Sequence, residues 1–154
     1  MRLEANRDCL ICDFCGNIHV PEANADGVRV FDLATGLNCS ICAVPLVHAA
    51  VAGLRIQHCP RCRGLLIPMD GMLAIVTHLR SGRDVAAGIH PIDWKELDRH
   101  VRCPECHEEM DTHPYGGGGG VVVDSCENCS LIWLDYSELE RIVRAPDHVY
   151  SDQF

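Results

Sequence analysis

The hydrophobic pattern near the C-terminus changes from a continuous run to a helical spacing. Residues 131–134 (LIWL) are all apolar, and the apolar positions that follow are three and four residues apart, as on one face of a helix. Asp135 and Glu138 have the spacing of a capping box, and Pro146 cannot continue a helix. We therefore predict a short helix capped by Asp135, whose apolar face carries Leu139, Ile142 and Val143.

A similar pattern occurs 67 residues earlier. There the apolar run GLLIP is followed by Met72, Ile75 and Val76, which align with the apolar face of the later helix. Asp70 can serve as the cap of this earlier helix. We interpret residues 39–79 and 103–145 as an internal repeat.

The remaining pattern predicts strands, turns and one more short helix. Residues 28–33 alternate as a strand that Thr35 and Gly36 end, and this strand could lie beside the first copy as an edge. The segment 43–58 predicts two strands that turn near Ala52 and Gly53. A capping box at Asp93 predicts a helix from Trp94 to Val101, with Trp94 packed against one of the copies.

Cysteine pairs of the form C-x2-C begin and end the strand region of each copy. In the first copy, 16 residues separate the pair Cys39 and Cys42 from the pair Cys59 and Cys62. In the second copy, 19 residues separate the two pairs. Two such pairs supply the four sulfur ligands of a tetrahedral zinc site. The sequence therefore predicts two zinc ions, the second bound by Cys103, Cys106, Cys126 and Cys129.

The stretch from Cys126 to Leu139, CENCSLIWLDYSEL, resembles a signature of small bacterial proteins that carry the transcription factor IIB type of zinc ribbon. The resemblance implies a ribbon-like or rubredoxin-like zinc fold with Cys103, Cys106, Cys126 and Cys129 as ligands, and we expect Trp133 to cover the metal site. The first copy departs from the pattern where Leu66, Ile67 and Pro68 replace Trp133, Leu134 and Asp135.

Five glycines, residues 116–120, lie between the cysteine pairs of the second copy. A phosphate-binding loop would require a following helix with Lys and Ser or Thr, and the sequence has none at this place. We therefore predict that the glycines form the loose tip of a hairpin.

Three further cysteines near the N-terminus leave several interpretations open. They could form a small Cys3His zinc site with His19, or the pair Cys12 and Cys15 could take ligands from elsewhere, such as His48 or His58. The spacing C-x2-C-x2-C also occurs in one type of iron–sulfur binding sequence, although the fourth cysteine of that sequence is missing here. A last alternative is that the three cysteines bind no metal. A third zinc is therefore possible, with Cys12 and Cys15 favoured as ligands over Cys9 and His19.

The composition indicates that bound metal, and not disulfides, stabilises the fold. The 154 residues include only three Phe, three Tyr and two Trp but 11 Cys. Units of about 40 residues seldom fold on burial alone, and disulfide-bonded proteins belong to oxidising compartments and usually have an even number of cysteines. Because the first residues, MRLEANRDC, contain no apolar signal region, we expect a cytoplasmic protein with no membrane-spanning segment.

Together these features predict a small metal-stabilised α+β protein. Its tandem zinc ribbons have rubredoxin-like knuckles and short β-hairpins, and each ribbon is followed by a short helix. The expected divisions are an N-terminal cysteine knuckle and strand (1–36), the first ribbon (37–82), a linker with a short helix (83–102), the second ribbon (103–146) and a tail (147–154).

The formal charge of −9 is unevenly distributed. Residues 55–102 carry eight basic and five acidic side chains, whereas residues 103–154 carry two and eleven. We expect a non-enzymatic structural-zinc protein that acts as a protein–protein interaction module with a link to transcription. An acidic surface favours a partner with a basic one.

Two other functions remain as alternatives. Nucleic-acid binding could use the basic cluster Arg55, Arg61 and Arg63, although the acidic last third makes specific binding of duplex DNA unfavourable. A thiol redox protein is the lesser alternative. A zinc site with four sulfur ligands has no open position for catalysis, so we do not expect an enzyme.

Overall fold

The computed structural model describes residues 1–4, 7–83, 90–116 and 120–145. Within these ranges the protein is a small α+β structure with mostly antiparallel strands. The strands are β1 (Arg2–Leu3), β2 (Leu10–Ile11), β3 (Ile18–His19), β4 (Val28–Asn38), β5 (Pro45–Val51), β6 (Leu54–His58), β7 (Leu65–Pro68), β8 (Asp111–Pro114), β9 (Val122–Cys126) and β10 (Leu131–Leu134). The helices are α1 (Met69–Arg80), a 3-10 helix (Trp94–Asp98) and α2 (Glu138–Arg144).

The strands form two sheets. A small N-terminal sheet has the order β1-β2-β3, and a seven-stranded sheet has the order β4-β5-β6-β7-β10-β9-β8. In the centre of the large sheet β7 pairs with β10 in antiparallel register, with Ile67 opposite Ile132 and Leu66 opposite Trp133. This pairing joins the segment that carries the first four paired cysteines to the segment that carries the second four.

Both segments also contribute to one hydrophobic core. Ile67, Ile75, Leu134 and Ile142 belong to the same buried cluster, although two come from each segment. The domain boundaries expected from the sequence stay a prediction, but the sheet and this core are continuous across them in the part of the chain that the structure describes.

Strand β4 is longer than predicted. The expected end at Thr35 and Gly36 is wrong, because β4 continues to Asn38 along β5. Its register shifts between Val30 and Ala34 and again between Ala34 and Asn38. Asp32 and Gly36, at φ 55° and 88°, lie within these irregularities, so left-handed residues bend the strand instead of ending it. The predicted turn at Ala52 and Gly53 is present, and both residues have positive φ.

The predicted helix caps differ from those observed. Asp70 does not cap α1, because the helix already begins at Met69 after Pro68 and Asp70 lies in its first turn. At α2, Glu138 accepts a hydrogen bond of 2.7 Å from the N–H of Asp135, which is one half of a capping box. The Asp135 carboxylate does not cap the helix, because it bonds Trp133 and Arg99 instead.

The third predicted helix is shorter than expected, and its tryptophan does not pack. The 3-10 helix ends at Asp98, and Asp93 caps it by accepting a bond of 3.0 Å from the N–H of Lys95. Trp94 is 72% exposed, so its predicted packing against a ribbon is wrong. Of the predicted glycine tip, residues 117–119 lie outside the described residues. Gly120 is closely packed, since a β-carbon there would lie 2.6 Å from the carbonyl oxygens of His90 and Pro91.

An arginine of α1 caps the end of α2. The guanidinium of Arg80 donates to the carbonyl oxygens of Val143 at 3.2 Å, Ile142 at 3.0 Å and Ala145 at 3.2 Å. These carbonyls belong to the last turn, where intrahelical donors are missing and a cation is favoured. Among the described residues no helix is long and apolar enough to cross a membrane.

Candidate metal centres

Each cysteine pair lies in a tight turn between or beside strands, and three of these turns share one backbone pattern. The first cysteine of the turn donates its N–H to the carbonyl five residues later, and its own carbonyl accepts from the N–H four residues later. These bonds are 2.8 and 2.9 Å at Cys39, 2.9 and 2.9 Å at Cys59, and 2.8 and 2.9 Å at Cys103. The residue four positions after the cysteine has positive φ in each turn: Ala43, Arg63 and His107. We call such a turn a knuckle.

The knuckle directs backbone N–H groups at sulfur. The N–H groups of Ile41 and Cys42 both lie 3.4 Å from Cys39 Sγ, and the N–H of Cys62 lies 3.4 Å from Cys59 Sγ. Hydrogen bonds of this kind stabilise the thiolate form of a cysteine, which is the form that binds metal.

Two groups of four cysteines converge. In the first, the sulfur atoms of Cys39 and Cys62 are 3.7 Å apart, and in the second those of Cys106 and Cys126 are 3.6 Å apart. Within each group all ligand atoms lie within 4.8 Å of one another. The structure thus assembles the two sets that the sequence predicts: Cys39, Cys42, Cys59 and Cys62, and Cys103, Cys106, Cys126 and Cys129.

The spacing of the sulfur atoms fits zinc. In a regular tetrahedron with zinc–sulfur bonds of about 2.3 Å, neighbouring sulfur atoms are about 3.8 Å apart. The two separations above, 3.7 and 3.6 Å, agree with this value without any movement of the chain. A tetrahedral set of four sulfurs is the donor set of structural zinc, so the two clusters are sites for two zinc ions.

The electrostatics of the thiols also favour a cation at each site. Burial raises the pKa of Cys39, Cys62 and Cys103. Burial opposes ionisation at Cys59 as well, but the N–H groups of Cys62 and Arg61 lower the pKa of that thiol. Four thiolates so close together repel one another, and a divalent cation offsets that repulsion.

Trp133 is fully buried in a cluster that includes cysteines of both sites, among them Cys59 and Cys103. The expectation that it shields the metal is therefore consistent with its position, but its contact with the first segment was not predictable. Its ring lies on Gly64, which follows Cys62 in the first segment, and a β-carbon on Gly64 would lie 2.2 Å from Trp133 Cζ2. Trp133 therefore packs across the join between the two segments.

A polar network holds the polar edge of Trp133. Its Nε1 donates to Asp135 Oδ1 at 2.9 Å, and Arg99 forms an ion pair with the same carboxylate. Arg99 Nε also lies 3.3 Å from Oδ2 of the buried Asp124, which accepts a bond of 2.6 Å from Thr112. Arg99 was missed by the sequence analysis, because its partners are 25 and 36 residues away and no local pattern links them.

The N-terminal candidates do not form a third cluster among the described residues. Cys9 is buried, Cys12 is half-buried, and Cys15 and His19 are exposed. His48 and His58 belong to no metal-binding group there either. The N–H groups of Cys15 and Phe14 lower the pKa of the Cys12 thiol, as expected of a sulfur inside a knuckle. None of the 11 cysteines forms a disulfide.

The fold and the two centres define a zinc-binding protein. Residues 102–145 match the family model described as transcription factor zinc-finger, of the zinc-ribbon type found in transcription factor IIB, and this match includes only the second of the two cysteine sets. The match covers the second cysteine set, Trp133 and α2. Comparison with curated proteins and with solved structures found no match.

Proposed function

We propose that the protein is a non-enzymatic zinc protein that binds another protein with a basic surface. We further propose that each of its two halves, residues 37–82 and 103–146, is a zinc ribbon followed by a helix. The observation that carries this proposal is Trp94. It is 72% exposed on the 3-10 helix, which precedes the second set of paired cysteines. Tryptophan is among the residues that contribute most to protein interfaces, and exposing one to water is unfavourable unless a partner covers it.

The surroundings of Trp94 are acidic. The 3-10 helix packs beside β8, and the chain between them includes the knuckle of Cys103 and Cys106. Arg99 is neutralised by Asp124 and Asp135, whereas Arg102 donates to the carbonyl of His107 at 3.3 Å and keeps its charge. Exposed carboxylates nevertheless outnumber the exposed cations Lys95 and Arg102 in this segment: Asp93, Asp98, Glu105, Glu108, Glu109 and Asp111. An aromatic anchor with an acidic rim favours a basic partner that has an apolar pocket.

The arrangement of the arginines gives less support to nucleic-acid binding. Arg55 donates to the carbonyl oxygens of Glu4 at 2.6 Å and Arg7 at 2.7 Å, and it stacks over Phe31. Its guanidinium therefore holds the N-terminal sheet to the large sheet. Arg61 and Arg63 are exposed, but two cations cannot replace the broad basic face that phosphate binding requires.

The chemistry of the centres supports a structural role for the metal. Each site offers four sulfurs and so leaves no position at zinc for a water nucleophile. The absence of disulfides among all 11 cysteines agrees with a reducing compartment, and we include a cytoplasmic location in the proposal.

The test compares Trp94→Ala with Leu73→Ala in the full-length protein. Leu73 is a matched control because it is 74% exposed and lies on α1, away from the acidic segment. A partner captured by wild-type protein is purified, and its dissociation constant is measured for the three proteins. We expect Trp94→Ala to weaken binding about tenfold or more, Leu73→Ala to have little effect, and added salt to weaken binding further.

Equal binding by Trp94→Ala and wild type would remove the main support for the proposal. Sub-micromolar, sequence-dependent binding of duplex DNA by the full chain at about 150 mM salt would favour the nucleic-acid alternative instead. In that case Arg61→Ala combined with Arg63→Ala should abolish the shift in a gel assay.

A further inference from the structure

The turn that contains Cys12 and Cys15 has the backbone of a metal-binding knuckle. Cys12 donates its N–H to the carbonyl of Asn17 at 2.9 Å, and its own carbonyl accepts from Gly16 at 2.9 Å. These bonds match those at Cys39, Cys59 and Cys103 in partners and in length. Gly16, four residues after Cys12, has φ 71°, which is the conformation found at the same position of the other knuckles.

In the part of the chain that the structure describes, this knuckle faces no second one. In the two zinc sites a hairpin with one cysteine pair meets another turn with a second pair, so that the first cysteine of each pair is buried and the second is half-buried. Strands β2 and β3 carry Cys12 and Cys15 in the same way, yet Cys12 is only half-buried and Cys15 is exposed. Each of these two cysteines is therefore more exposed than the corresponding cysteine of the zinc sites, as expected if the turn forms only half of a site.

Apolar side chains are exposed around the half site. Phe14, between the two cysteines, is 102% exposed, and Ile18 and Val20 just beyond the turn are 58% and 52% exposed. Three large apolar side chains in water next to a knuckle indicate a surface that another chain covers.

We propose that Cys12 and Cys15 form half of a third tetrahedral zinc site, which a second copy of this chain completes with its own Cys12 and Cys15. Two copies related by a twofold axis through the ion supply four sulfurs from one self-complementary surface, and the assembly closes as a dimer. Each thiol that binds zinc releases its proton. This proposal is independent of the protein partner proposed above.

The local charge permits this contact although the whole chain is acidic. Residues 1–20 contain two basic and three acidic side chains, so this segment is nearly neutral. Asp13, inside the knuckle, is already paired with Arg2 at 3.3 Å. Two copies can therefore approach through this turn without the repulsion that the acidic last third would cause.

The test measures mass and zinc content together on the full-length protein under reducing conditions, which exclude intermolecular disulfides. With the two complete sites filled, we expect wild-type protein to be a dimer with five zinc ions per two chains. Cys12→Ser combined with Cys15→Ser should be a monomer with two zinc ions per chain. Asp13→Asn is the matched control, because it changes the same turn without removing a ligand, and it should remain a dimer.

A second measurement uses wild-type protein and therefore tests the proposal even if the double variant loses the N-terminal sheet. Limited chelator added to wild-type protein should remove the shared zinc first and convert dimer to monomer while two zinc ions per chain remain. A monomeric wild-type protein with two or three zinc ions per chain would overturn the proposal. A dimer that persists in the double variant or after loss of the shared zinc would overturn it as well.

Discussion

The ring of Trp133 rests directly on the backbone of Gly64, one residue from each half of the protein. A β-carbon built on Gly64 would lie 2.2 Å from Cζ2 and 2.7 Å from Cη2 of the ring. Neither atom has room to move, because Trp133 is fully buried and its strand, β10, is paired on both sides. The contact makes glycine necessary at position 64 for reasons of space, since its φ is not positive.

We therefore predict that Gly64→Ala lowers the free energy of unfolding by about 3 kcal/mol, the upper part of the range for overpacking in a core. Denaturant unfolding at fixed zinc concentration measures the change. Gly82→Ala is the matched control, because nothing lies within 4 Å of a β-carbon at that position, and it should change stability by less than about 0.5 kcal/mol. Similar losses in both variants would contradict the close contact.

A second prediction concerns the cap that α1 provides for α2. Replacing Arg80 by Met removes donors to the last carbonyls of α2 and should cost about 1–3 kcal/mol. Amide exchange should then increase in α2 more than in α1. Arg144→Gln is the control, since Arg144 pairs with Glu140 on the surface of the same helix, at 2.9 Å, and such pairs contribute about 0.5 kcal/mol.

A third prediction concerns pH. Burial raises the pKa of Glu138 to about 7, above its ordinary value of 4.5, and the nearby Asp135 carboxylate adds to the effect. The folded protein therefore holds a proton that the unfolded chain has already lost, so this group makes the protein less stable as pH rises from about 4.5 to about 7.

Glu138→Gln should remove this dependence and stabilise the protein at pH 8 by about 1–3 kcal/mol relative to wild type, while stability near pH 4.5 changes little. The amide oxygen of Gln can still accept from the N–H of Asp135, as the Glu138 carboxylate does. Thermal unfolding of both proteins across this pH range, with Glu140→Gln as a control on the same helix, gives the difference. A wild-type-like pH profile in Glu138→Gln would disprove the assignment.

A fourth prediction concerns whether the two halves of the protein fold as one unit. Cys126→Ser removes one ligand of the second site, and structural zinc contributes on the order of 10 kcal/mol to folding. Because β10 pairs with β7 and both helices share one core, we expect hydrogen exchange to increase in β7 and α1 as well as in the second half. Cys15→Ser, at an exposed position outside both clusters, should leave both regions protected. Loss confined to the second half would show that the halves fold separately.

The features that the sequence predicted best depend on the spacing of residues that are close together in the chain. The pairs C-x2-C predicted the two sets of four sulfurs, and the spacing of Leu139, Ile142 and Val143 predicted the buried face of α2. Both patterns depend on residues close together in the chain, and the knuckle and the helix convert that closeness into geometry directly.

Relations between distant segments were not predictable in the same way. Nothing in residues 65–68 or 131–134 alone indicates that β7 and β10 pair, because an apolar run is compatible with several partners. The bulged continuation of β4 was missed because Gly36 is also a common strand terminator. Trp94 was expected to be buried on the basis of its type, and only the path of the chain shows that it faces solvent.

The outermost strands of the large sheet, β4 and β8, determine whether this protein can aggregate by adding strands. Unpaired strand edges recruit other chains unless they are bent, short or blocked. The left-handed residues of β4 bend one edge, and the other edge is a four-residue strand that ends at Pro114. Both edges of the sheet therefore disfavour amyloid-like stacking between copies of the protein.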